Sequence, residues 1–177
     1  MNAVLARLLP MLFCFILAVW SGPGQARDDA KGQAFLQTLA EAAEASDRIV
    51  AVEHSYRYDG GSANTEVSPE RVYAAVVLTR SQQQSLASAL RGTNPQVSGF
   101  VAACIFEPHH RLEFYRGKKR VHTLEVCFGC GDLEWDAPQG EVPADIYATL
   151  RTFFRQIGLQ PSRDWRALAR NKPPAKP

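Results

Sequence analysis

Five side chains between residues 104 and 130 could do chemistry together: Cys104, His109, His110, Cys127 and Cys130. They belong to the run "CIFEPHHRLEFYRGKKRVHTLEVCFGC", which carries two adjacent histidines and a Cys-x-x-Cys pair. Thiolates and imidazoles are ligands for zinc and copper. Cysteines at this spacing can also close a disulfide or exchange one. Metal ligation, a structural disulfide and redox chemistry therefore compete for the same residues.

The cysteine count sharpens the choice. The chain has 177 residues and 4 cysteines, and one of these, Cys14, lies in a segment that reads as a secretory signal. Residues 1–26 carry one charge, Arg7, then an apolar run from Leu8 to Trp20, then small residues at Gly24 and Ala26. That three-part order is what a signal peptidase reads, and the run is short for a bilayer span. Met11, Leu12 and Phe13 precede Cys14, whereas a lipid-attachment cysteine follows small residues. The mature chain is expected to be periplasmic or secreted, with no stable membrane anchor once the signal is cleaved. Its three remaining cysteines cannot all pair within one chain. One must stay a thiol, bond another chain or bind a metal.

Charge excludes one class of partner. The whole chain has 20 basic and 18 acidic residues, and both signs are spread along it. A nucleic-acid binder would be strongly and locally basic, so no nucleic acid is expected. "RGKKR" at 116–120 reads as a solvated hairpin tip. An unknown protein or small ligand remains as the partner.

The elements that must position the cluster follow from periodicity. Phe35, Leu36, Leu39, Ala42 and Ala43 fall on one helical stripe. Val50, Val52, His54, Tyr56 and Tyr58 alternate as a strand that ends at Asp59-Gly60-Gly61. "RVYAAVVLT" reads as a buried strand. Thr79 and Gln82 form a capping box for a helix that stops at Gly92. "FVAACIF", "HRLEFYR", "RVHTLEVCF" and the short "GDLEW" read as strands. Pro143 opens a helix with Ile146, Leu150, Phe153, Phe154 and Ile157 inward, and Gly158 closes it. Ser162 is placed to cap a last helix carrying Trp165 and Leu168. The expectation is one α+β domain over 27–170, an antiparallel sheet (β-meander) with helices packed on one face, and a disordered tail at 171–177.

A register can be argued for the central hairpin. A three-residue loop at Gly117-Lys118-Lys119 sets Phe114 against His122, Leu112 against Leu124 and His110 against Val126. Arg111 then faces Glu125. A one-residue slip would break the apolar face. In this register His109 lies opposite Cys127, so the Pro-His-His and Cys-Phe-Gly-Cys turns meet at one end of the sheet. Strand alternation sends His109 and His110 to opposite faces. His122 and His54 read as structural histidines. Glu107, Glu113 and Asp132 flank the cluster as carboxylates.

"VCFGCG" resembles the Cys-x-x-Cys-Gly knuckle of zinc ribbons and rubredoxins, a likeness of six residues with no second knuckle. It implies half of a tetrahedral site. The other half would come from Cys104 and from His109 or His110; the set taken is Cys104, His109, Cys127 and Cys130 for zinc, with copper also compatible. Over a longer span, Cys104, Pro108-His109-His110 and Cys127-Phe128-Gly129-Cys130-Gly131 resemble a pattern of small secreted bacterial proteins, which implies no activity. A thioredoxin-like site would need a helix after the second cysteine, and "GDLEWDAPQG" lacks helical periodicity. No nucleophile elbow, His-Glu-x-x-His helix or phosphate loop is present. The sequence thus reads as a metal-binding or disulfide-stabilised, non-catalytic binding protein. Its rivals are a redox protein using Cys127 and Cys130 with Cys104 as resolving thiol, a metal-dependent hydrolase, and a protein inhibitor.

Overall fold

The computed structural model describes residues 23–60, 67–97, 104–137 and 139–171. Residues 1–22 of the expected signal, the start of "FVAACIF" and residues 172–177 lie outside these. In chain order the elements are α1 (Pro23–Ala45), β1 (Arg48–His54), β2 (Val72–Val77), α2 (Arg80–Arg91), β3 (His110–Arg116), β4 (Lys119–Cys127), β5 (Asp132–Trp135), α3 (Ile146–Gln156) and α4 (Trp165–Asn171). The strands form one antiparallel sheet in the order β2-β1-β3-β4-β5. This is the expected α+β fold.

Alternation along each strand sends every second side chain to the helices. Ile49 and Ala51 of β1, Leu112 and Phe114 of β3, and Leu124 and Val126 of β4 all lie on that face and are buried. They pack against Phe35, Leu36 and Leu39 of α1, Leu86 and Leu90 of α2, and Leu150, Phe153 and Phe154 of α3. The other face carries a polar network. Glu113 accepts from Arg111 Nε at 2.7 Å, Tyr115 Oη at 2.7 Å and Arg120 Nη1 at 3.1 Å. Burial opposes ionisation of Glu113, but these hydrogen bonds and the two guanidinium charges outweigh it and hold its carboxyl below the ordinary range. His54, also on this face, sits 3.1 Å from Glu125 Oε2 and 3.1 Å from the Ser55 carbonyl oxygen.

The helix ends show why these segments stop where they do. Thr79 Oγ1 accepts from Gln82 N at 3.2 Å and the Gln82 side chain accepts from Thr79 N at 2.9 Å, the capping box read from the sequence. Gly158 adopts φ 89° just past α3, a conformation costly for other residues. Asp164, not Ser162, caps α4, accepting from Ala167 N at 2.8 Å.

The hairpin register is observed from His110–Val126 to Phe114–His122. Its tip differs. A bulge after Phe114 sets Tyr115 against Arg120 and Arg116 against Lys119, leaving Gly117 and Lys118 as the loop. The shift brings Arg120 to Glu113, a charge pair that the three-residue loop would not supply. A second difference concerns Cys104. Residues 104–109 form no strand, because β1 already occupies the edge of β3, pairing Arg48–Glu53 with His110–Tyr115. Likewise β1 ends at His54, so Tyr56 and Tyr58 lie in the turn that follows it.

Candidate functional site

At the end of β3 and β4 a cavity of about 380 Å³ opens to the surface. Its walls include Cys104, His109, His110, Cys127, Cys130 and Trp165. The four residues proposed from sequence as a metal set, Cys104, His109, Cys127 and Cys130, therefore share one cavity. His110 shares it too. The expectation that strand alternation would part the two histidines fails because β3 begins at His110, which leaves His109 outside the pleat.

Cys127 and Cys130 form a disulfide, and Cys104 is an exposed free thiol. The odd cysteine is thus Cys104. It is not remote from the bond: its Sγ lies 3.7 Å from the carbonyl oxygen of Cys130. The bond closes the loop between β4 and β5, whose ladder ends at the pair Cys127–Asp132. Gly131 takes φ 63° and donates its N–H to the Cys127 carbonyl at 3.0 Å, which makes the turn tight. Within the turn the Cys130 amide points at Cys127 Sγ, 3.3 Å away. This is the amide-to-sulfur contact a knuckle offers. Arg151 of α3 donates to the Phe128 carbonyl at 3.0 Å, bringing a guanidinium to the same loop.

Each histidine has one ring nitrogen fixed. His109 Nε2 sits 3.1 and 3.2 Å from the two carboxylate oxygens of Asp59. Asp59 is buried and held in turn by Tyr56 N at 2.8 Å. A carboxylate accepts only, so Nε2 carries the hydrogen and Nδ1 is the ring nitrogen left for other work. The imidazole of His109 also lies flat on the Trp165 indole, centroids 4.6 Å apart and planes 7° from parallel. His110 Nε2 donates to the Gln160 carbonyl at 3.2 Å. Its ring is edge-on to Phe128, Phe154 and Trp165. Burial lowers the His110 pKa from 6.5 to about 3, outweighing the Gln160 hydrogen bond, so the ring stays neutral.

The flanking carboxylates divide. Glu107 lines the cavity, Glu113 lies on the far face of the sheet, and Asp132, exposed at the start of β5, accepts from Leu133 N at 2.8 Å. His122 pairs with Asp136 at 3.2 Å and His54 with Glu125, both away from this cavity. Asp59, Arg151 and Trp165 are site residues that the sequence did not single out. Asp59 was legible only as a turn former.

Among the described residues, no three His, Cys, Asp or Glu side chains are arranged to hold a metal ion in this disulfide-bonded form. No helix among them is long and apolar enough to cross a membrane. No protein-family model, no curated protein and no solved structure matches the chain.

Proposed function

We propose that this is a periplasmic or secreted thiol–disulfide exchange protein, with Cys127 and Cys130 as the exchanging pair and Cys104 as a resolving thiol. The observation that carries the reading is the free thiol of Cys104 standing beside the Cys127–Cys130 bond in an open cavity. A purely structural staple needs neither a neighbouring thiol nor a solvent path.

The sulfurs differ in a way that orders the steps. Cys127 is buried, whereas Cys130 is partly accessible. An incoming thiolate attacks Cys130 Sγ, the disulfide breaks, and its electron pair goes to Cys127 Sγ. The Cys130 N–H, already aimed at that sulfur, stabilises the thiolate. A second thiol then completes the exchange. If it belongs to the substrate, it attacks the substrate sulfur of the mixed disulfide, releasing Cys130 as a thiol and leaving an oxidised substrate. If it is Cys104, it attacks Cys130 Sγ, releases the substrate thiol and forms a Cys104–Cys130 bond. Thioredoxin-like sites lower a thiol pKa with a helix N-terminus. Here the turn amide and the Arg151 guanidinium serve in its place.

The test is an acid-quenched reaction of the folded protein with reduced glutathione, followed by peptide mapping. The reading expects a glutathione adduct on Cys130 and a new thiol on Cys127. A Cys127–Cys130 bond that stays closed in the folded protein would leave the knuckle a staple and the domain a binding protein.

A further inference from the structure

We propose that opening the Cys127–Cys130 bond turns the cavity into a zinc site, with Cys104, Cys127 and Cys130 as thiolate ligands, His109 as the fourth ligand through Nδ1, and Asp59 as the carboxylate that orients the imidazole. The inference rests on the exchange reading, because the ligand set exists only after the bond is opened.

The His109–Asp59 pair points to this use. Imidazoles that bind metals donate their other ring N–H to a carboxylate or carbonyl, which fixes the tautomer and raises ligand basicity. His109 Nε2 lies between both Asp59 oxygens, and Asp59 is itself buried and anchored by Tyr56 N. Asp59 is not part of the cavity wall but His109 is. With Nε2 taken by Asp59, Nδ1 is the ring nitrogen that a cavity-lining His109 has left to offer. The Trp165 indole holds the ring plane. What sets this pair apart from His54–Glu125 and His122–Asp136 is that His109 lines a cavity together with three cysteines.

The sulfur side fits as well. Three thiolates and one imidazole are a donor set that zinc accepts in tetrahedral geometry. The turn amide at Cys127 Sγ stabilises a thiolate as readily in a metal complex as in a leaving group. Cys104 sits on a segment without strand pairing, exposed and already against the Cys130 carbonyl. On zinc entry each thiol gives up its proton to solvent, and no electron moves. While the disulfide is closed two of the sulfurs cannot bind as thiolates. The site is thus gated by the redox state of the pair.

Native mass spectrometry of the mature protein, oxidised or reduced with a phosphine and then given zinc chloride, tests this. The reduced protein should take up one zinc and shield Cys104, Cys127 and Cys130 from alkylation; the oxidised protein should take up none. Asp59→Asn should weaken zinc affinity by about 10- to 100-fold in a chelator competition. Its oxidised melting temperature reports whether the fold survives. Cys104→Ser, at an exposed position, should lose zinc binding without loss of fold. Reduced protein that binds no zinc would overturn the site and leave exchange standing, as would zinc binding that ignores both substitutions. A folded protein whose mass shows the disulfide still closed after phosphine would overturn both.

Discussion

Glu53 of β1 and His110 of β3 stand opposite each other in the sheet and grip the two backbone groups of one residue, Gln160. The Glu53 carboxylate accepts from Gln160 N, and His110 Nε2 donates to Gln160 O at 3.2 Å. Glu53 also pairs with Arg163 Nη2 at 3.0 Å. This cross-strand pair pins the link between α3 and α4, and so sets Pro161 and Trp165 against the cavity. Buried charge is tolerated here because it is both hydrogen-bonded and paired.

Removing the carboxylate should therefore loosen the cavity wall. Glu53→Ala leaves the Gln160 amide and the Arg163 guanidinium without their acceptor. We expect a loss of roughly 2–4 kcal/mol in chemical denaturation. A red shift of tryptophan emission in the folded variant would report Trp165 moving towards water. An unshifted spectrum would mean that α4 is held by its other contacts.

His110 should make the protein acid-sensitive. Its folded pKa, about 3, lies below the ordinary 6.5, so the unfolded chain binds a proton that the folded chain refuses. Stability is then complete above about pH 6.5 and falls as the pH drops towards 3. The loss is bounded at about 1.4 kcal/mol per pH unit, on the order of 5 kcal/mol at the acid end. His110→Gln keeps a donor for the Gln160 carbonyl and does not titrate. Its urea midpoint should fall less steeply between pH 6.5 and 4 than that of the wild type; parallel curves would sink the assignment.

Arg151 should tune the knuckle. Its guanidinium is bonded to the Phe128 carbonyl inside the Cys-Phe-Gly-Cys loop. Arg151→Gln removes that charge from the loop while keeping a donor. Reduction of the disulfide by glutathione at neutral pH should slow several-fold, with stability changed by less than about 1 kcal/mol. An unaltered rate would confine Arg151 to holding the loop.

What could be read from the sequence was the local part. The hairpin register follows from matching Leu112 with Leu124 and Arg111 with Glu125, and the α2 cap from Thr79 and Gln82; both are short-range patterns. The meeting of His109 with Cys127 and Cys130 was also legible, because two turns of one hairpin end must meet; Cys104 joins them from a segment that is not the strand expected there. The contacts that give the site its character were not. Asp59 reaches His109 through β1, and Glu53 reaches Gln160 across the length of the domain. No periodicity marks such pairs. The strand expected at "FVAACIF" is absent over Cys104–Phe106, where the place beside β3 is taken by β1.

The central claim is that the Cys127–Cys130 bond reacts in the folded protein. The most direct measurement is its rate of opening by reduced glutathione, followed by quench alkylation, in native buffer and again in guanidinium chloride. Exchange chemistry predicts opening in native buffer at a rate comparable to that in denaturant, and a reduction potential above about −300 mV, where labile disulfides lie. Opening only when the protein unfolds would contradict it.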